Sequence, residues 1–158
     1  MAVPDNAFTE EDFRVLKPEA FEFVLSNELK RALRSQSFLT LLVIEPALRG
    51  ARDGGNGERD AAVRQVAQLV SREVRETDLL SQTGHGQLSI VLLDSDLQNA
   101  LGVVDRLMSR LENYEFARPL TFEVGAACCP THAADAESLR RAAESHPLPS
   151  RGPQSNAQ

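Results

Sequence analysis

The stretch formed by residues 81–93 carries the residues whose types and spacing first suggest chemistry. Its sequence, SQTGHGQLSIVLL, reads as the end of one strand, a Gly-X-Gly turn and a return strand. Such turns often hold a phosphate or a metal, because glycine lets a ligand approach the backbone closely. Within this turn only His85 and Gln87 supply polar side chains. The stretch is therefore either an active site or what remains of one.

The cysteines and the other histidines do not complete a metal site. Cys128 and Cys129 are adjacent in sequence, so their side chains point to opposite faces of a strand and do not pair with each other. His85, His132 and His146 are scattered, without the spacing that places two ligands on one helix face. We therefore expect no metal and no cofactor. We also expect a reducing compartment, with one thiol in the core and the other at the surface.

Composition limits the class of protein. The chain has 158 residues, of which 42% are hydrophobic, and a formal net charge of -6. This length and composition predict one folded domain, and the acidic balance argues against non-specific nucleic-acid binding. No apolar run approaches the roughly 20 residues of a membrane span, and the acidic N-terminus lacks a signal peptide. We expect a cytoplasmic protein without a membrane span.

Apolar periodicity and turn residues predict the elements that must position this turn. Helices are predicted over 17–36, 60–78, 97–114 and 135–145, and strands over 38–45, 79–82, 87–93 and 120–129. Asp60 is the expected N-cap of the second helix, and Pro46 is expected to end the first strand. The order predicts an α/β sandwich, with one mixed sheet and helices packed on it.

Three segments follow from the same pattern. Residues 1–17 are assigned to an N-terminal extension, 18–145 to the domain, and 146–158 to a disordered tail rich in Pro, Ser and Gly. Inside the domain, residues 50–59 form a glycine-rich loop that can support no core.

From about residue 18 to residue 144, the chain resembles the GGDEF domain of diguanylate cyclases, a palm-type fold related to nucleotidyl cyclases. VRQVAQLVSREVRETDLLSQTGHGQLSIVLLDSD resembles the helix, Arg-x-x-Asp motif, signature hairpin and return strand of that family. FLTLLVIE resembles its first strand, which ends in a metal-binding Asp, and TFEVGAA resembles its strand with Ser-Ile-Gly-Val. The resemblance implies a role in cyclic di-GMP signalling in bacteria.

The family signature itself is replaced. Where the family has Gly-Gly-Asp/Glu-Glu-Phe, this chain has Gly84, His85, Gly86, Gln87 and Leu88. Joining two GTP molecules requires Mg²⁺, which prefers anionic oxygen ligands. Neither the third nor the fourth position of the signature now carries a carboxylate. We therefore expect no cyclase activity.

Two further family positions are expected to be vestigial. Glu45 stands at the strand end where the family has its metal-binding Asp, and its side chain is one methylene longer. Asp60 matches the family's guanine-contacting Asp. Residual GTP binding through these two residues, without turnover, is one reading of the sequence.

The Arg-x-x-Asp motif is retained. In many family members this motif precedes the hairpin signature by five residues and forms a product-inhibition site for cyclic di-GMP. The chain has Arg75 and Asp78, then five residues, then Gly84, and the family's supporting arginine aligns with Arg106. Arginine can bind a guanine edge or a phosphate in bidentate fashion, and aspartate can accept from the guanine N1 and N2 donors.

Besides residual GTP binding, two readings of the function stay open at this point. In the first, the chain is an inactive GGDEF-like effector that binds cyclic di-GMP through Arg75, Asp78 and Arg106 and acts through an unidentified protein partner. The resemblance also implies ligand-linked homodimerisation. In the second, the same residues are ordinary surface charges, and the fold is a nucleotide-independent protein-interaction scaffold.

Overall fold

The computed structural model describes residues 14–48, 55–83, 86–116, 119–145 and 147–148. Within them lie five strands and four helices. In chain order the elements are β1 (Val15–Leu16), α1 (Pro18–Ser35), β2 (Leu39–Leu48), α2 (Gly55–Ser71), β3 (Leu79–Thr83), β4 (Gln87–Leu93), α3 (Leu97–Asn113), β5 (Leu120–Cys129) and α4 (Ala136–Ser145).

The strands form one mixed sheet in the order β1-β3-β4-β2-β5. β1 runs parallel to β3, and every other neighbouring pair is antiparallel. Helices cover both faces of the sheet, because the central strands carry apolar side chains on both faces. The expected α/β sandwich is confirmed.

Each face of the sheet has its own core. On one face, α2 and α3 pack on residues such as Leu42, Ile44 and Ile90. On the other, α1 and α4 pack on Leu41 and Val43. Successive strand residues point to opposite faces, so β2 contributes alternately to both cores.

The inner face of α1 shows how the sequence makes these contacts. Phe21, Leu25, Leu29 and Ala32 are buried, and they recur at three- and four-residue spacing. Pro18 occupies the first turn as expected, where its missing N–H costs no hydrogen bond.

Pro46 does not end β2 as the sequence predicted. The strand continues to Leu48, and Pro46 pairs with Phe122 of β5. β4 pairs with β2 only as far as Ile44. Pro46 therefore lies where β2 has one partner strand, and a missing donor is tolerated on the open side.

The start of α2 also differs from the prediction. The helix begins at Gly55, inside the segment expected to be a loop over 50–59, and ends at Ser71 rather than near Asp78. Asp60 is thus an exposed residue inside the helix and not its N-cap. Residues 49–54 lie outside the described part of the chain.

Residues near both limits of the described part of the chain bond to the sheet. Val15 and Leu16, assigned from sequence to the extension 1–17, pair with Leu80 and Ser81 of β3 and are buried. Near the other end, the Leu148 N–H donates to the carbonyl of Val124 at 2.7 Å. The folded part therefore begins before Pro18 and continues past residue 145, while residues 149–158 lie outside the described part.

The prediction of a surface thiol is wrong. Cys128 and Cys129 are both free and both fully buried, because helices cover both faces of the sheet at this end of β5. Burial, and secondarily the neighbouring Cys128, raises the pKa of the Cys129 thiol.

Asp135 precedes α4 and caps it. Its carboxylate accepts from the backbone N–H of Ser138 at 2.9 Å. Hydrogen bonds from Ser138, the backbone bond above all, lower the pKa of Asp135.

Candidate ligand site at the α2–β3 connector

The segment between α2 and β3, residues 72–78, is here called the connector. It makes a turn closed by the Asp78 N–H, which donates to the carbonyl of Arg75 at 3.0 Å. The turn places Arg75 and Asp78 side by side, as the three-residue spacing of the motif allows. The connector packs against the end of β4 and against α3.

Asp78 is the internal anchor of the connector. One carboxylate oxygen accepts from the Arg75 backbone N–H at 3.0 Å and from its Nε at 3.3 Å. The other accepts from Arg75 Nη2 and from the Leu93 N–H, both at 3.2 Å. The side chain is 2% exposed. Both oxygens are therefore occupied by the protein itself.

The Arg75 side chain is held in one orientation but faces solvent. Besides Asp78, its Nη2 contacts the carbonyl of Leu93 at 2.5 Å and Ser95 Oγ at 3.4 Å. The side chain is nevertheless 57% exposed. All of these bonds use Nε and Nη2, so among the described residues Nη1 keeps its donors for another acceptor.

Arg106 reaches the same connector from α3. Its Nη2 donates to the carbonyl of Glu73 at 3.0 Å, and its Nε lies 3.6 Å from a Glu73 carboxylate oxygen. Its side chain is 54% exposed. The structure therefore anchors both arginines on one seven-residue turn, with Asp78 beneath the surface.

Part of the altered signature lies in the described part of the chain. Gly86 has a φ of 79°, a left-handed conformation that favours glycine, and Gln87 pairs with Thr83 to begin β4. Leu88 is fully buried opposite Ile44 and belongs to the core. Gly84 and His85 lie outside the described residues.

Glu45 and Asp60 are not brought to a common site by any contact in the described residues. Glu45 is exposed on β2 and pairs directly with Glu123 of β5, so two like charges face each other across the strands. Asp60 is exposed on α2. Across the described ranges, no three His, Cys, Asp or Glu side chains cluster in a way that could hold a metal ion.

Sequence reasoning missed a polar network on the α1/α4 face. Arg140 of α4 donates from Nη1 to the buried Ser89 Oγ at 3.0 Å and pairs with Glu22 of α1. Ser89 Oγ in turn lies 2.6 Å from Thr83 Oγ1. The signal was the pair of hydroxyl residues inside two apolar strands, which need partners when buried.

Glu73 was missed for a different reason. It has no motif around it, and its importance comes from the packing of α3 against the connector. Its carboxylate lies 2.9 Å from Arg110 Nε as well as beside Arg106. Only the fold brings these three charges together.

No helix in the described part of the chain is long and apolar enough to span a membrane. Comparison with known families matches most of the chain. The family model described as "Diguanylate cyclase, GGDEF domain" matches residues 19–146.

Similar proteins agree with that match. The probable diguanylate cyclase DgcJ of Escherichia coli K12 is 26% identical over 114 residues, which cover 71% of this chain and 22% of DgcJ. The chain thus spans about a fifth of the length of that curated relative.

Two solved structures are similar in fold. The coiled coil and GGDEF domain of DgcB from Caulobacter crescentus, in complex with c-di-GMP, has a TM-score of 0.74 at 15% identity, covering 89% of this chain and 78% of that one. Diguanylate cyclase SiaD from Pseudomonas aeruginosa, in complex with its activator SiaC, has a TM-score of 0.69 at 15% identity, covering 90% and 56%.

Proposed function

Since this chain belongs to the GGDEF family, we propose that it is a non-catalytic member that acts as a cyclic di-GMP-binding regulatory protein. One observation carries the proposal. Arg75 and Arg106 are both fixed on the connector by bonds to the protein, yet more than half of each side chain faces solvent. Such preorganised guanidinium groups lose little side-chain entropy when they bind a ligand.

The chemistry of the ligand fits two arginines. Cyclic di-GMP is a dianion with two guanines, and an arginine fork binds either a phosphate or the O6 and N7 edge of guanine. Asp78 takes a different role from the one expected from sequence. Because both of its oxygens already accept hydrogen bonds, we assign it to positioning Arg75 and not to contacting a guanine.

The proposal that the chain is not a cyclase rests on the hairpin and on the strand end. Gly86 has no side chain and Gln87 no charge, where the family has carboxylates. Glu45 is left facing Glu123, another anion, with no third acidic ligand among the described residues. Mg²⁺ that must also bind phosphates needs a more complete oxygen site. We propose no resident cofactor.

A regulatory domain without a reaction acts through another protein. The similar SiaD is held in complex with an activator protein, and a protein partner is proposed for this chain too, as is ligand-linked dimerisation. The two free, buried cysteines fit the reducing cytoplasm in which the proposal places the protein.

Isothermal titration of cyclic di-GMP tests the proposal. We expect saturable binding to the wild type at micromolar ligand and a loss of about tenfold or more in Arg106→Ala, because charged hydrogen bonds are removed. Arg75→Ala should lose as much, but Arg75 also braces the connector, so Arg106→Ala is the cleaner variant. Arg72→Ala is the matched control, since Arg72 is exposed on the same connector and its side chain makes no hydrogen bond or ion pair with the described residues.

Three results would contradict the proposal. If titration of the wild type does not saturate, the protein does not bind cyclic di-GMP. If Arg72→Ala loses as much affinity as Arg106→Ala, the loss reflects only the net charge of the protein. The non-catalytic assignment would be overturned if chromatography showed that the protein forms cyclic di-GMP from GTP in the presence of Mg²⁺. Magnesium-dependent GTP binding without product would instead support residual substrate binding through Glu45 and Asp60.

A second candidate is a nucleotide-independent interaction module. It is favoured by Asp78, whose four hydrogen bonds explain the Arg-x-x-Asp motif as a brace that needs no ligand. Phe23, Leu33 and Phe38 are also exposed on and after α1. Under this function, cyclic di-GMP would produce no heat and no thermal stabilisation, while the arginine variants would change stability alone.

A further inference from the structure

Glu73 forms ion pairs with two arginines of α3, Arg106 and Arg110. Its carboxylate lies 2.9 Å from Arg110 Nε through one oxygen and 3.6 Å from Arg106 Nε through the other. The Glu73 side chain is 17% exposed, whereas the side chains of Arg110 and Arg106 are 59% and 54% exposed. An anion already stands between the two guanidinium groups on their protein side.

Arg106 and Arg110 are four residues apart on α3, so they lie on the same face of the helix. A phosphate that approaches Arg106 meets the field of Glu73 as well as the guanidinium. Two anions on one guanidinium repel each other and divide its donors between them. The strength of phosphate binding here therefore depends on how firmly Glu73 holds the arginines.

The side chain of Glu73 is not what orients Arg106. That orientation comes from the backbone carbonyl of Glu73, which accepts from Arg106 Nη2 at 3.0 Å and is present whatever the side chain. The side-chain contact at 3.6 Å is an ion pair without a hydrogen bond. Removal of the charge should thus leave Arg106 in place and make it a stronger phosphate donor.

From this geometry we infer that Glu73 lowers the affinity of the connector surface for a phosphate-bearing ligand by competing for Arg106 and Arg110. The inference rests on the proposed function, since it concerns the same site. Glu73 is in this sense an affinity-determining residue and makes no contact with the ligand. It differs from Asp78, which is buried and holds Arg75 by direct hydrogen bonds.

The test compares two charge-removing variants in the same connector. Cyclic di-GMP is titrated into the full chain as wild type, Glu73→Gln and Glu76→Gln. Glu76 is exposed three residues from Glu73 and makes no ion pair in the described part of the chain. We expect about fivefold tighter binding in Glu73→Gln, the scale of one or two exposed ion pairs, and a change within about twofold in Glu76→Gln.

The outcomes separate the inference from the function on which it rests. If the wild type binds and Glu73→Gln binds equally or more weakly, or Glu76→Gln gains as much, the inference is overturned and the proposed function stands. If only Glu73→Gln binds, the inference is supported and the wild type is no effector. If neither binds, both fall. Thermal unfolding tests whether each variant is folded. If Glu73→Gln is not folded, Glu73→Ala takes its place.

Discussion

Removal of the Asp78 carboxylate should detach the connector from the end of β4 and destabilise the fold. In Asp78→Ala, the N–H groups of Arg75 and Leu93 lose their acceptor, and the bonds to the Arg75 guanidinium are lost with them. A hydrogen bond to a charged group contributes about 1.5–3 kcal/mol, and the losses are not additive. The Arg75 ion pair adds about 0.5 kcal/mol or less, because that side chain is more than half exposed.

We therefore expect Asp78→Ala to lower the free energy of unfolding by about 3 kcal/mol. Asp78→Asn should lose about half of that, because its amide keeps one acceptor oxygen but turns an N–H₂ group towards the arginine donors. In a chain of this size the larger loss lowers the Tm by about 10 °C.

Urea unfolding followed by circular dichroism measures these changes, and the chain has no Trp to provide a fluorescence signal. Glu76→Ala is the matched control in the same turn and should stay within about 0.5 kcal/mol of wild type. The brace is refuted if Asp78→Ala also stays within that margin, or if the control loses as much. Asp78 would then be available to a ligand, as the sequence suggested.

Three further predictions concern other parts of the fold. Arg140→Ala should lower the free energy of unfolding in urea by about 1–2 kcal/mol, because the buried Ser89 hydroxyl loses one of its two hydrogen-bond partners. Arg141→Ala, which removes an exposed side chain, should lower it by less than about 0.5 kcal/mol, and equal losses would contradict the prediction. A thiol reagent should not label Cys129 or its neighbour until the protein unfolds, since both are buried and the pKa of Cys129 is raised; labelling of the native protein would count against it. The lowered pKa of Asp135 stabilises the fold above the usual aspartate pKa, and this contribution is lost as pH falls through the lowered value. Asp135→Asn keeps the cap to Ser138 but should flatten that part of the acid limb of stability against pH, and an unchanged limb would contradict the assignment.

Local patterns predicted the elements that are closed by their own residues. The bounds of β5 were predicted as Leu120–Cys129 and are found there, because an apolar run ends at a proline. Asp96 begins α3 by accepting from the Asn99 N–H, again within one turn. In both cases the residues that set the boundary are neighbours in sequence.

Positions that depend on the sheet could not be predicted in this way. Pro46 is tolerated only because β4 stops short of it, and the second thiol is buried only because helices cover both faces. The opposition of Glu45 and Glu123 is set by the register of β2 and β5, which joins residues far apart in sequence.

The candidate site divides along the same line. The spacing of Arg75 and Asp78 singled out the connector, and the alignment with the family added Arg106. What the spacing did not contain is the direction of the Asp78 carboxylate, which accepts from Leu93 fifteen positions away. The approach of Glu73 to α3 is equally non-local. The sequence thus singled out the candidate site, and packing determined which of its groups face solvent.

The two-residue strand β1 covers the edge of the sheet at β3. Val15 and Leu16 cover the outer side of β3, and Ser81 Oγ also donates to the carbonyl of Leu16 at 2.8 Å. Without them, β3 would present unpaired backbone donors and acceptors beside newly exposed apolar surface. An open edge of this kind is a template for strand pairing between copies. A fragment cut at Pro18, where the sequence placed the start of the domain, is therefore expected to self-associate in a way that the longer chain does not.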